Sequence, residues 1–287
     1  METIIMKFGG AAVSSTEQFS RIAEIILNRA GNAKVVVVVS AMGDTTDQLL
    51  ALAKKVHPEP PLREQDMLVS VGERISVALL AMALQLKNKE AISFTGSQSG
   101  IITSSLHSEA RIVDVKPHRL KRHLDEGRIV IVAGFQGVSR EGEITTLGRG
   151  GSDTTAVALG VALEASVIEF YKDVPGICEE DPKKNPYAKV LSNLSYGSAL
   201  EIIEKGAEVL HARCIKLAER NLLNLHIRSF FDPELRYSQG TLIGPLEIAV
   251  SQSCEAGSKL GCSEKSMSSS KFAGQPSFAT SSCIYEE

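Results

Sequence analysis

Apolar runs and helical periods alternate along the chain. Thr3–Phe8 is a short, mostly apolar run of strand length, and Val35–Val39 is five consecutive valines. Such a run fits a strand buried on both faces. Ile129–Val132, Ser166–Tyr171 and Asn224–Arg228 add three further strand-like segments. Between them, Glu17–Leu27, Thr46–Val56, Glu64–Leu86, Thr154–Leu163, Ser198–Glu204 and Ile215–Glu219 carry apolar residues at helical spacing. Strands separated by helices predict an α/β fold, a three-layer αβα sandwich around a mostly parallel sheet. Ligands of such sheets bind at the carboxyl ends of the strands. Lys7, Ser40, Phe135 and Asp173 all fall at or just after a predicted strand end.

The alternation stops after Gly244. Residues 251–287 hold 11 serines and three of the five cysteines without sustained periodicity. That composition predicts a folded domain over 1–244 and a disordered, serine-rich tail over 245–287. With 287 residues the chain can bury a sizeable core. A formal net charge of -3 gives no global attraction to nucleic acid or anionic lipid, so neither is expected as a partner. No uninterrupted apolar run approaches the ~20 residues that span a bilayer. The opening METIIMKFGG has too short an apolar run for a secretory signal, and its lysine follows that run. Cys178, Cys214, Cys254, Cys262 and Cys283 are odd in number and include no CxxC pair. They suggest neither a disulfide framework nor a zinc site, and a reducing cytoplasm is the expected setting.

Two glycine-rich segments carry candidate chemistry. KFGGAAV, Lys7–Val13, places a lysine and two glycines at the end of the first strand. A glycine pair there is either a turn or a backbone cradle for phosphate. TTLGRGGSDTTA, Thr145–Ala156, runs three glycines around Arg149 into Ser152, a candidate helix N-cap, with Asp153 beside it. A helix N-terminus attracts anions through its unpaired amides and dipole, and Arg149 reads as buried. Neither segment is a Walker loop or a dinucleotide fingerprint. Glu73 lies in LVSVGERISVALL, so apolar that an exposed face is hard to draw, which favours a buried functional carboxylate over a solvated one. RLKRHLDEGR, from Arg119, reads as a solvated helix end, and His118, His123 and His211 lack metal-ligand neighbours.

KFGGAAV, SAMGDTTDQL, VGERIS, AGFQG, TTLGRGGSD, KDVPGICEEDP and GTLI occur in an order that resembles the aspartate kinases of the amino acid kinase family. The resemblance runs from about residue 3 to 244. It implies a sheet of about eight strands and an ATP-dependent transfer of phosphate to the side-chain carboxylate of L-aspartate. The product would be 4-phospho-L-aspartate, on the route to lysine, threonine and methionine. Such an acceptor is already ionised at neutral pH, so positioning and charge neutralisation carry the reaction without a general base. By the resemblance, Lys7 bridges donor and acceptor oxygens, Gly9 and Gly10 present amides to phosphate, and Asp153 orients Lys7. Arg149 would hold the α-carboxylate and Glu73 the ammonium, roles that suit a guanidinium fork and a carboxylate. Ser40, Thr46 and Phe135 match substrate-pocket positions, although Ser40 and Thr46 read equally as a strand-end hydroxyl and a helix cap.

On the nucleotide side, Lys172, Asp173 and Lys183 match the family segment, and Mg²⁺ would arrive with ATP. Cys178 stands where an aromatic residue is common, and Glu208 where many relatives have a lysine. Ala11 and Ala12 replace frequent hydroxyl residues. ACT-type regulatory domains commonly follow GTLI in the family. The serine-rich segment there raises the expectation of an unregulated catalytic domain, or of a homo-oligomer or separate regulatory chain as partner. Two alternatives stay open: a related kinase with another carboxylate acceptor such as N-acetylglutamate, and a catalytically poor ligand-binding fragment.

Overall fold

The computed structural model describes residues 1–180, 185, 188–236 and 238–245. Lys183, Cys254, Cys262, Cys283 and all but the first residue of the expected 245–287 tail lie outside the described residues. In chain order the first elements are β1 (Thr3–Phe8), α1 (Thr16–Ala30), β2 (Lys34–Val39), α2 (Thr45–Val56), α3 (Leu62–Leu86) and β3 (Ala91–Phe94). There follow β4 (Ile101–Thr103), β5 (Ile112–Val115), α4 (His118–Asp125), β6 (Ile129–Ala133), β7 (Gln136–Ser139) and β8 (Ile144–Thr146). The remainder are α5 (Gly151–Ala162), β9 (Val167–Lys172), β10 (Asn193–Ser195), α6 (Tyr196–Glu204), α7 (Ala212–Arg220), β11 (Leu225–Ser229) and β12 (Thr241–Gly244).

The valine run lies near the middle of an eight-stranded sheet of order β10-β12-β11-β9-β1-β2-β6-β3. Only the β11/β12 pair is antiparallel. Side chains alternate between faces with period two, and the core divides accordingly. Ile5, Val36, Val38, Val130, Val132, Ile168 and Phe170 pack with α5 and α7. Ile4, Met6, Phe8, Val37, Val39, Ile131 and Tyr171 pack with α1 and α3. The carboxyl ends of the parallel strands align, because Phe8 pairs with both Val39 and Tyr171, and Val39 with Ala133. All later geometry hangs from that edge.

A second sheet, order β5-β4-β7-β8, was not evident from periodicity. Its strands are only 3 or 4 residues long, and Thr103, Thr145, Thr146, Gln136 and Ser139 are buried polar residues within them. Hydrogen bonds replace the missing hydrophobic signal, as between the Thr103 and Thr145 hydroxyls. Asp66 of α3, fully buried, is the main tether. It accepts from the Thr146 hydroxyl at 2.6 Å and the Ser108 amide at 3.1 Å, and lies 2.8 Å from His107 Nδ1.

Two local expectations are corrected. Ser152 is not the cap of α5, which begins at Gly151 behind a left-handed Gly150 with φ 72°. Thr46 is not a cap either, since α2 starts at Thr45 after Asp44. The α3 helix is long and apolar enough to cross a membrane by length and composition, although charged residues interrupt it. Half of its most apolar stretch is buried, and Asp66 and Glu73 are among the buried residues, so in this fold α3 serves as a core helix against the sheet.

Removing Asp66 strands the buried Thr146 hydroxyl and the half-buried His107 and Ser108. Asp66→Ala is expected to destabilise the domain by about 3 kcal/mol, measured by urea unfolding.

Candidate active site

Strand parity places the first functional group. Lys7 shares its face with Ile5, the face against α5. An ammonium that is only 4% exposed requires a counter-charge. Asp153, in the first turn of α5, supplies it: Lys7 Nζ is 2.5 Å from Asp153 Oδ1. Lys172, at the end of β9 and on the same face as Phe170, reaches the other oxygen at 3.2 Å. One buried carboxylate is thereby bridged between two lysines from adjacent strands. Burial pulls the Lys7 pKa below the ordinary lysine range, even though Asp153 opposes that shift. Burial would raise Asp153, but the charges of Lys7 and Lys172 outweigh it and hold the carboxyl below its usual range. The helix dipole adds to this, being favourable for an acid in a first turn. Beneath the pair lies Cys214 of α7, fully buried, whose thiol is pushed up by burial.

The glycine pair interlocks with the loop after β2. Gly43 N donates to Gly10 O at 3.1 Å, and Ser40 N donates to Phe8 O at 3.1 Å. A Cβ on Gly10 would stand 2.9 Å from Gly43 O, so the two backbones meet too closely for any other residue. A Cβ on Gly9 would occupy the space 3.5 Å from Lys7 Nζ. Ser40 and Thr46 are half-buried at this edge. Glu73 enters from α3, 2% exposed, and its Oε1 accepts from Ala41 N at 3.3 Å. Its Oε2 is buried without a hydrogen-bond partner among the described residues. Burial, only partly offset by the backbone amides and Lys7, pushes its pKa up to about 7.

Phe135, with φ 67°, follows β6 and donates its amide to Thr155 Oγ1 of α5 at 3.2 Å. Its half-buried ring lies against Gly151. Lys7, Gly9, Gly10, Ser40, Glu73, Phe135, Asp153 and Lys172 are thus gathered on one edge of the sheet. Arg149 is corrected: it is exposed, because the glycine loop lifts it off α5. Its guanidinium makes no hydrogen bond or ion pair among the described residues. Asp173 and Glu208 are exposed and likewise unpaired, so Glu208 makes no contact that commits it toward or away from a phosphate. Cys178 is half-buried, bridged through its backbone to Val190, and burial raises its pKa. The Ala41 amide and Cys214 escaped sequence reasoning, the first because a backbone donor leaves no residue signature and the second because its depth depends on α7 packing.

A match to the amino acid kinase family covers residues 2–229. Over 234 residues the chain is 53% identical to an aspartokinase from Mycolicibacterium smegmatis, covering 80% of this chain and 55% of that protein. It therefore spans about half the length of the curated relatives it matches. Aspartate kinase from Synechocystis superposes with a TM-score of 0.74 at 43% identity, covering 84% of this chain and 40% of that one. E. coli aspartokinase III in complex with aspartate and ADP superposes with a TM-score of 0.76 at 29% identity, over 85% of this chain and 64% of that one.

Glu73 holds more protons folded than unfolded between its ordinary carboxyl range and about 7. Folding stability is therefore lost as pH rises through that window, by on the order of 3 kcal/mol when complete. Glu73→Gln is expected to raise the unfolding free energy of the ligand-free protein at pH 8. The gain should fade as pH falls towards 4.5, the ordinary value for the group. Denaturant midpoints at the two pH values check it.

Proposed function

The chain belongs to the amino acid kinase family, and on that premise we propose that it transfers the ATP γ-phosphate to the side-chain carboxylate of L-aspartate. The observation carrying this reading is the buried Lys7–Asp153–Lys172 cluster facing an unpartnered Glu73 oxygen. Two lysines on one carboxylate leave a net positive charge where an anionic nucleophile must approach an anionic phosphate. That is the charge arrangement phosphoryl transfer to a carboxylate needs.

Each residue has a task in this scheme. Lys7 stands between the two substrates and neutralises the oxygens that would otherwise repel, while Asp153 fixes its ammonium by the 2.5 Å contact. Gly9 and Gly10 let phosphate oxygens approach the backbone, and the first turn of α5 directs amides and dipole to the same place. Lys172 and Asp173 lie on the nucleotide side. Mg²⁺ belongs to the substrate Mg·ATP, held mostly by phosphate oxygens and water, and supplies further neutralisation there. Glu73 takes the ammonium of aspartate, which gives its orphan oxygen a partner and restores the ionised form. Arg149, without a side-chain partner among the described residues, takes the α-carboxylate by its fork. Ser40, Thr46 and Phe135 line the amino-acid side. Free thiols at Cys178 and Cys214 fit the cytoplasmic setting we assign to it.

The expected assay result is Mg·ATP-dependent ADP release with L-aspartate as acceptor, and none above background with L-glutamate or N-acetylglutamate. Lys7→Ala should lower kcat roughly 10²–10³-fold or more. Turnover with N-acetylglutamate in preference would overturn the aspartate assignment, and binding of both substrates by folded protein without turnover would overturn the kinase assignment.

A further inference from the structure

We infer that His211 and Arg213, in the first residues around the start of α7, are positioning residues for Arg149, an inference that rests on the aspartate-binding reading of that arginine. Arg149 sits between Gly148 and Gly150, whose φ angles are 71° and 72°. Its own side chain has no partner among the described residues. An arginine on two glycines loses much freedom when it grips a carboxylate, unless the surrounding backbone is already held.

The structure holds it from α7. Arg213 Nη1 donates to the Leu147 carbonyl at 3.0 Å, at the root of the loop. His211 packs against Gly150, where an added Cβ would stand 2.4 Å from the His211 Cβ and Cγ. The two clamp residues are themselves interlocked, because the Arg213 amide donates to His211 Nδ1 at 3.3 Å. That bond leaves the proton of a neutral His211 on Nε2. From the other side, Leu147 N donates to Phe135 O and Gly151 N to Gly148 O, each at 3.0 Å. Behind the loop, Leu147, Thr154, Arg213 and Leu217 border a partly open pocket.

The placement across the molecule gives the clamp its functional meaning. α7 follows the 205–210 segment that carries Glu208, which the family resemblance puts on the nucleotide side, whereas the reading proposed above puts Arg149 on the amino-acid side. His211 and Arg213 therefore join the two halves at the loop whose guanidinium must meet aspartate. Tethers spent on a loop backbone act on ligand geometry more than on the core, and an offset of about 1 Å in such a group has large kinetic consequences.

The test compares wild-type protein, Arg213→Met, Arg149→Ala and the double variant in the ADP-release assay, with thermal melts on each. Arg213→Met is expected to raise the aspartate KM about tenfold, the size of one hydrogen bond, while the ATP KM stays within about twofold. In the Arg149→Ala background the same substitution should add nothing to the aspartate KM, because the group being positioned is gone. Arg213→Lys, which keeps a charged donor, should fall between, and it runs the same cycle if Arg213→Met does not fold. Equal changes in both KM values, or an additive effect in the double variant, overturn the inference. A wild-type protein that phosphorylates no aspartate overturns the underlying reading instead, so the two failures are separable.

Discussion

The buried contact between Lys7 and Asp153 constrains more of this structure than any other single interaction. An ammonium in the middle of a sheet edge is tolerated only with a counter-charge in place, because losing one partner of such a pair leaves an uncompensated charge in the interior. The pair demands that the α5 helix begin within reach of β1. That start in turn needs a residue able to sit at φ 72°, which Gly150 provides. The proposed phosphoryl transfer, not the pair itself, demands a second cation, since Asp153 alone would neutralise Lys7 and leave no positive surplus. Lys172 meets that demand from β9. A pair of apolar side chains would pack here at least as stably, so the arrangement makes most sense as electrostatics set in place for a ligand.

The same reasoning explains the groups left without partners. Among the described residues, Glu73 is buried with one oxygen unsatisfied and Arg149 is a guanidinium without a partner. One lacks a cation and the other an anion. In the proposed reaction, the ammonium and α-carboxylate of aspartate would supply both. The fold tolerates these unmatched charges because the valine-rich layers on the two faces of the sheet and the Asp66 tether to the second sheet hold the frame.

What could be read in the sequence followed from long-range patterns with strong physical signals. Five valines in a row announce a doubly covered strand, and the helical periods between strands announce the layers. The apolar surroundings of Glu73 signalled its burial correctly. The second sheet was illegible because strands such as Ile144–Thr146 and Gln136–Ser139 are short and stabilised by buried hydroxyls and amides, which local periodicity does not register. Arg149 was misread as buried since a glycine loop gives no indication of which way it lifts its side chain. His211 drew attention only as a metal ligand lacking companions. Its contact with Gly150 arises from packing across 61 positions of sequence and has no local trace.

The central claim is that Lys7 is a desolvated ammonium kept charged by Asp153. Its most direct test is an NMR titration of the Lys7 side chain in the wild-type protein and in Asp153→Asn. The expected result is a titration below the ordinary lysine range in the wild type, shifted lower still once the aspartate charge is removed. A Lys7 that titrates like an exposed lysine, or that ignores the loss of Asp153, would contradict it.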